Sequence, residues 1–157
     1  MHLREATDED VNRLTAVINA AYRVEDIFKI GDRIGDDGVR DEMHRGRFLV
    51  LDDDYGIAGC VYVQVNGELG YFGLLSVDPS RQGQGIGTTL LRAAEEFCRG
   101  AGCRTMEILV VNLRTELLPY YRRHGYTEIG VRPFPDDERT KRPCHFVVMR
   151  KPLLTSS

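Results

Sequence analysis

Apolar side chains recur at every third or fourth position in two long stretches, which is the spacing of a helix that buries one face. In the first stretch, Thr7 is placed to cap a helix that runs to about Tyr22. The second stretch starts near Ile86, and the glycines at residues 100–102 end it. Shorter helices are predicted at residues 39–45 and 115–124.

The other apolar residues form short runs separated by turn signals, which is typical of strands. Asn66-Gly67 is a strong signal for a two-residue hairpin. An antiparallel meander is therefore expected in the middle of the chain. The predicted strands are residues 2–6, 47–51, 56–65, 68–77, 105–111, 126–131 and 144–150. Residues 23–37 are predicted to form a loop or a broken helix, and residues 133–141 a charged loop.

One crossover breaks the antiparallel pattern. A strand at residues 68–77, a helix and a second strand at residues 105–111 form a right-handed parallel unit. We therefore expect an α/β (α+β) fold with a mixed, mostly antiparallel sheet of about seven strands flanked by about four helices. The 157 residues fit a single domain spanning residues 1–157.

Composition and charge exclude several classes of function. With 21 Lys and Arg against 24 Asp and Glu, the formal net charge is -3, so a basic surface for nucleic acid is not expected. No apolar run is long enough to span a bilayer and the first residues are acidic, so we expect no membrane partner and a cytoplasmic location. No CxxC pair occurs, so we expect no metal site and cysteines that are reduced and packed. The four cysteines are Cys60, Cys98, Cys103 and Cys144.

A glycine-rich turn between a strand and the second long helix is the sharpest chemical signal. Gly83, Gly85 and Gly87 alternate with other residues where that helix begins. A helix start exposes unpaired N–H groups at the positive end of its dipole, and glycines let a phosphate approach them closely. The turn therefore predicts a diphosphate site, although three glycines can also serve only to pack a helix against a sheet.

Two nucleotide motifs fit this turn poorly. The dinucleotide fingerprint GxGxxG would need glycine at Thr88 and normally follows the first strand of a parallel sheet. A P-loop would need a lysine after its last glycine, where Thr88 stands. A nucleotide-binding domain is thus disfavoured.

The segment Gln82-Gly83-Gln84-Gly85-Ile86-Gly87 resembles the cofactor motif of the GNAT superfamily of acyl-CoA-dependent N-acetyltransferases. Val77-Asp78-Pro79 before it and Tyr121-Arg122-Arg123-His124-Gly125-Tyr126 after it resemble the same family. The resemblance implies transfer of an acetyl group from acetyl-CoA to a primary amine by direct attack, in a sheet that splays at the parallel crossover. A homodimer would be normal for such a protein.

The resemblance also implies which residues bind acetyl-CoA. Leu75, Ser76 and Val77 would hold the pantetheine arm as an added strand would. Asn112, at the end of the strand after the crossover, would contact the cofactor or order the facing helix; alternatively it makes only a turn hydrogen bond. The pyrophosphate would be held by Gln82, Gly83, Gln84, Gly85, Ile86, Gly87 and Thr88.

Transfer needs a neutral amine and a proton for the departing thiolate, because an alkyl amine has a pKa of about 10.4 and a thiol one of about 8.5. Tyr121 matches the tyrosine that the family uses to protonate the thiolate, although an aromatic residue on a short helix can equally be a core residue. Glu68, at the hairpin end of its strand, reads better as a solvated charge than as the base.

The acceptor pocket is expected near Glu25, Asp26 and Tyr71, where the two carboxylates could bind a cationic amine or could simply be solvated. The sequence leaves the identity of the amine and of the base open. The alternative function is a non-catalytic module that binds acyl-CoA as a sensor.

Overall fold

The computed structural model describes residues 1–135 and 140–153. The strands are β1 (His2–Glu5), β2 (Arg47–Asp53), β3 (Gly56–Asn66), β4 (Leu69–Val77), β5 (Thr105–Val111), β6 (Thr127–Pro133) and β7 (His145–Pro152). The helices are α1 (Val11–Ala21), α2 (Asp36–Arg45), α3 (Ile86–Gly100) and α4 (Leu117–Arg123). No helix in this described part of the chain has the length and apolar character needed to cross a bilayer.

The seven strands form one sheet in the order β1-β2-β3-β4-β5-β7-β6. Every neighbouring pair is antiparallel except β4 and β5, which are parallel and are joined through α3. The predicted two-residue hairpin is confirmed one position later, since Asn66 pairs with Leu69 and the turn residues are Gly67, with a φ of +63°, and Glu68. The predicted fold class is confirmed.

The sheet splays at its parallel step. β4 and β5 pair only from Leu69↔Thr105 to Tyr71↔Glu107, and beyond these residues the two strands separate. Glu107, where the pairing stops, is buried and its carboxylate accepts hydrogen bonds from Arg132 of β6 and Arg150 of β7. This ion cluster links β5 to β6 and β7. The separation of β4 from β5 leaves a gap beside the second half of β4.

Two apolar cores cover the two faces of the sheet. One contains Leu90, Leu91 and Ala94 of α3 together with Tyr121 of α4. The other packs Leu14 and Ile18 of α1 against the opposite face. Both helices present the apolar stripe that their sequences predict. Cys60, Cys98 and Cys103 are free thiols within these cores.

Several boundaries differ from the prediction. The Thr7 turn opens with a 3-10 segment, Asp8–Asp10. The loop or broken helix predicted at residues 23–37 is confirmed as far as α2, because the chain after α1 continues as a 3-10 helix, Tyr22–Ile27, and then has no further helix before Asp36. α2 begins three residues before the predicted position, at Asp36. The charged loop predicted at residues 133–141 falls partly on residues 136–139, which lie outside the described residues.

Candidate active site

The glycine turn forms an open concave surface at the start of α3. Gly83 and Gly85 have φ of +84° and +75°, in the left-handed region that favours glycine. Gly85 is the residue before α3 begins, so the unpaired amides of the first helical turn follow it directly. The concave surface is lined by Val77, Arg81, Gln82, Gly83, Gly85, Ile86, Gly87, Thr88 and Tyr120.

The glycines leave space that a side chain would fill. A Cβ built on Gly83 or Gly85 meets no protein atom within 4 Å, so neither glycine is required by packing. Gly87 differs, because its Cβ would lie 3.6 Å from the Val77 side chain in ordinary contact. Positive φ, open space and exposed helix amides are what a diphosphate cradle requires, and the turn therefore fits the pyrophosphate of a CoA molecule.

Helix α4 places two successive tyrosines on two different surfaces. The Tyr120 hydroxyl lies 3.4 Å from Thr88 Oγ1, at the cradle. Tyr121 is buried, with its ring against Phe72 and Tyr126, and it lines a cavity in the gap between β4 and β5. Pro119 does not disrupt the helix because it stands in the first turn, where its missing N–H has no partner to lose.

Strand β4 carries an irregularity beside Tyr121. Its register with β3 shifts between Cys60 and Tyr62. Leu74 has a φ of +52°, which is rare for a residue other than glycine. The Ser76 hydroxyl donates a hydrogen bond of 2.9 Å to the Leu74 carbonyl within this bulge. A bulge interrupts strand pairing and re-aims backbone groups. Here it does so on the strand that borders the gap.

The cavity has a volume of about 190 Å³ and is enclosed by both strands and by the segments that follow α1. From β4 come Tyr71 and the bulge residues Leu74 and Leu75, and from α4 comes Tyr121. The polar side chains that line the cavity are Tyr22, Lys29, Arg33, Tyr71 and Tyr121.

Burial keeps the three tyrosines of the cavity protonated. It raises the pKa of Tyr22 to about 12, and it also raises the pKa values of Tyr71 and Tyr121. Each hydroxyl is therefore a hydrogen-bond donor near neutral pH. None of the three can serve as a base there without first losing a strongly held proton.

Glu25 does not lie free in solvent, as a charge in a loop would. It is 5% exposed and accepts a hydrogen bond of 2.9 Å from Arg114, which also binds Glu116 at 2.5 Å. Asp26 is exposed, and its carbonyl accepts a hydrogen bond from the Lys141 ammonium group. Neither carboxylate is among the residues that line the cavity, whereas Tyr71 is.

Asn112 connects β5 to β7. Its side-chain oxygen accepts a hydrogen bond of 2.8 Å from the His145 backbone N–H, and its own N–H donates to the His145 carbonyl. Asn112 does not line the cavity or the cradle among the described residues. These bonds join residues 33 positions apart, so they are not the turn hydrogen bond of the alternative, and a contact with the cofactor stays a prediction.

Sequence reasoning missed several residues of the site. Tyr22, Lys29 and Arg33 line the cavity, and Tyr120 lines the cradle. Only Tyr120 had a sequence signal, because it precedes Tyr121 on a short helix beside the glycine turn. Lys29 and Arg33 come from the segment predicted as a loop or broken helix, and Tyr22 lies at the end of the predicted first helix.

Comparisons with known proteins agree with this geometry. The family model for the acetyltransferase (GNAT) domain matches residues 44–128, more than half of the chain. Acetyltransferase Atu2258 of Agrobacterium fabrum is 38% identical over 79 residues, covering 50% of this chain and 56% of that protein. An amino-acid acetyltransferase of Ralstonia nicotianae is 29% identical over 140 residues, covering 88% of this chain but 29% of that protein. The chain thus spans about half or less of the length of the curated relatives it matches.

A solved structure extends the likeness to the whole fold. The ribosomal-protein-alanine N-acetyltransferase of Brucella melitensis superposes with a TM-score of 0.77 at 19% identity, covering 98% of this chain and 100% of the other. At this identity the likeness establishes the fold alone. With the domain match, the glycine cradle and the splayed sheet in agreement, the chain belongs to the GNAT family of acetyltransferase domains.

Proposed function

We propose that the protein transfers an acetyl group from acetyl-CoA to a primary amine, with residues 1–157 acting as a single N-acetyltransferase domain. The observation that carries the proposal is the placement of Tyr120 and Tyr121. Tyr120 lines the cradle and Tyr121 lines the cavity, so the proposed diphosphate site and the proposed site of acetyl transfer adjoin the same short helix, α4.

The residues of the cradle and of β4 would hold acetyl-CoA. The amides from Gln82 to Thr88 would bind the pyrophosphate, and the edge of β4 at Leu75, Ser76 and Val77 would bind the pantetheine arm. The Ser76 hydroxyl is already bonded to Leu74, so Ser76 would contribute backbone groups rather than its side chain. Bound acetyl-CoA supplies an activated acetyl thioester to the cavity.

Tyr121 would act on the leaving group. Its raised pKa keeps the hydroxyl protonated, and a neutral donor beside a developing thiolate stabilises the negative charge that forms there. Because a tyrosine holds its proton more tightly than a thiol does, Tyr121 would act mainly as a hydrogen-bond donor to the thiolate, and would pass a proton to the sulfur only as it takes up another from water. Because Tyr22, Tyr71 and Tyr121 hold their protons tightly, none of them would be the base that deprotonates the amine.

The acceptor would bind in the cavity on the side of Tyr71. Glu25 is committed to Arg114, so a role in binding the amine would have to compete with that ion pair. Asp26 would have to act from an exposed position at the rim. The name of the Ralstonia relative, amino-acid acetyltransferase, agrees with an acceptor small enough for this cavity.

The test is a screen of amines with the purified protein and acetyl-CoA. Release of free CoA, together with mass-spectrometric detection of the acetylated amine, is the expected result for at least one acceptor. The control is a Tyr121→Phe variant, which should bind acetyl-CoA normally and release CoA more slowly. Saturable acetyl-CoA binding with no transfer to any amine would favour the sensor module instead.

A further inference from the structure

Arg33 is the cation of the cavity whose side chain has no carboxylate partner among the described residues. Other arginines nearby are paired: Arg23 lies 2.9 Å from Asp32, and Arg114 is held by two glutamates. The Arg33 guanidinium instead lies 5.4 Å from the centre of the Tyr22 ring, and both side chains line the cavity. A half-buried guanidinium of this kind favours an anion as its partner.

The rest of the lining that the structure describes supplies no such anion. Lys29 and Arg33 line the cavity, and the described lining includes no aspartate or glutamate. Glu25 is held by Arg114, and neither residue is part of the lining. Among the described residues, the lining therefore gives Arg33 no carboxylate, and this favours an acceptor that brings a carboxylate of its own.

We propose that the acceptor is a small amino acid, whose carboxylate binds Arg33 while its amine attacks the acetyl group beside the β4 bulge. This inference rests on the proposed function. The guanidinium makes a cation–π contact with the Tyr22 ring at 5.4 Å, and its planar geometry allows it to bind a carboxylate through two parallel hydrogen bonds. A cavity of about 190 Å³ is smaller than the sites that hold drug-sized ligands, at roughly 300–1,000 Å³, so it suits a compact acceptor.

The transfer balances with the groups present. The amine lone pair forms the new N–C bond as the C–S bond breaks, and the sulfur leaves with its electron pair. The nitrogen loses one proton to water, the sulfur takes one from Tyr121, and Tyr121 regains a proton from water, so the protein ends in its starting protonation state. Arg33 takes no part in these bonds; it sets which amine is positioned to react.

The kinetic test compares each free amino acid with its own amide, at saturating acetyl-CoA. Loss of a charge-assisted hydrogen-bonded pair should lower kcat/KM for the amide by roughly 10- to 100-fold. In Arg33→Met this preference should disappear, mainly through a higher KM for the acid, while the Kd for acetyl-CoA stays unchanged. Arg33→Lys should recover part of the preference, because it keeps the charge and loses the paired geometry.

Arg23→Met is the matched control, because Arg23 is more exposed, is paired with Asp32 and does not line the cavity. It should keep the preference for the acid. A preference that survives in Arg33→Met, or efficient transfer to neutral amines and polyamines but not to amino acids, would overturn the proposal while leaving acetyl transfer intact. If the protein instead prefers a peptide amide that has an acidic side chain, the carboxylate that binds Arg33 would belong to a peptide. This result would also contradict the proposal.

An equilibrium measurement separates this inference from the proposed function. N-acetylglycine and N-acetylleucine, each with its amide as control, are titrated into protein saturated with CoA. If the acids bind to the wild-type protein and do not bind to Arg33→Met, the result supports the anion site even if no amine is acetylated. Equal binding of acids and amides would refute it even if acetyl transfer is observed.

Discussion

Replacing Gly85 with leucine separates the requirements of the fold from those of the ligand. Gly85 has a φ of +75°, and a residue with a Cβ in this region costs about 1–2 kcal/mol. The added Cβ meets no protein atom within 4 Å, so the Cβ itself adds no steric overlap to that cost. We therefore expect the free energy of unfolding, measured by urea denaturation, to fall by about 1–2 kcal/mol.

The effect on acetyl-CoA should be much larger. The leucine side chain would occupy the space in front of the first amides of α3, where the pyrophosphate is proposed to bind. Losing two hydrogen bonds to a charged group, at about 1.5–3 kcal/mol each, raises the Kd by roughly 10²- to 10⁴-fold. Isothermal titration with acetyl-CoA measures this change, which far exceeds what the loss of stability could produce in a protein that remains folded.

Gly67 provides the matched control. Its φ is +63°, a Cβ there also meets nothing within 4 Å, and it lies in the hairpin between β3 and β4 rather than in the cradle. Gly67→Leu should lose similar stability and keep the wild-type Kd for acetyl-CoA. Wild-type affinity in Gly85→Leu would refute the cradle, and equal loss in both variants would mean that strain in the fold causes it.

Three further predictions concern buried polar groups. Tyr121→Phe should lower kcat by about 10²-fold with no change in the Kd for acetyl-CoA, and unchanged kcat would remove Tyr121 from the reaction. Tyr126→Phe removes a 2.7 Å hydrogen bond to buried Glu95 and should cost about 1.5–3 kcal/mol in urea denaturation, whereas Tyr55→Phe, at a site 88% exposed, should cost nothing. Burial raises the pKa values of Cys60 and Cys98 to about 12, so neither thiol should react with a thiol reagent at pH 8 until the protein is unfolded. Labelling of the native protein at pH 8 would contradict this expectation. Because the fold favours the neutral thiols, their contribution to stability is complete below the unfolded-state pKa of about 8.5 and is lost as the pH rises toward 12.

The parts of the fold that local patterns determine could be predicted from the sequence. The glycine turn, the Asn66-Gly67 hairpin and the two amphipathic helices each depend on residues close together in the chain, and the structure has them where expected, with the hairpin turn one position later. The parallel crossover followed from the order strand, helix, strand. These signals were sufficient for the fold class and for the location of the cradle.

The sequence pointed to Tyr71 and Tyr121, which line the cavity, but the rest of its interior could not be predicted because it depends on how the chain folds around it. Glu25 binds Arg114, which is 89 positions away in the sequence. A carboxylate that the sequence allows to be solvated is therefore part of a buried ion pair. The bulge at Leu74 arises from the register between β3 and β4, and leucine gives no signal of a positive φ. Arg33 lies in a segment without periodicity, and only the fold brings it beside Tyr22.

The most direct test of the central claim is calorimetric titration of the wild-type protein with acetyl-CoA, with NAD and ATP as controls. Saturable binding of one acetyl-CoA per chain, with no comparable binding of either nucleotide, is the predicted result. A folded protein that fails to bind acetyl-CoA would contradict the account, because the glycine turn at the start of α3 would then serve packing or another ligand.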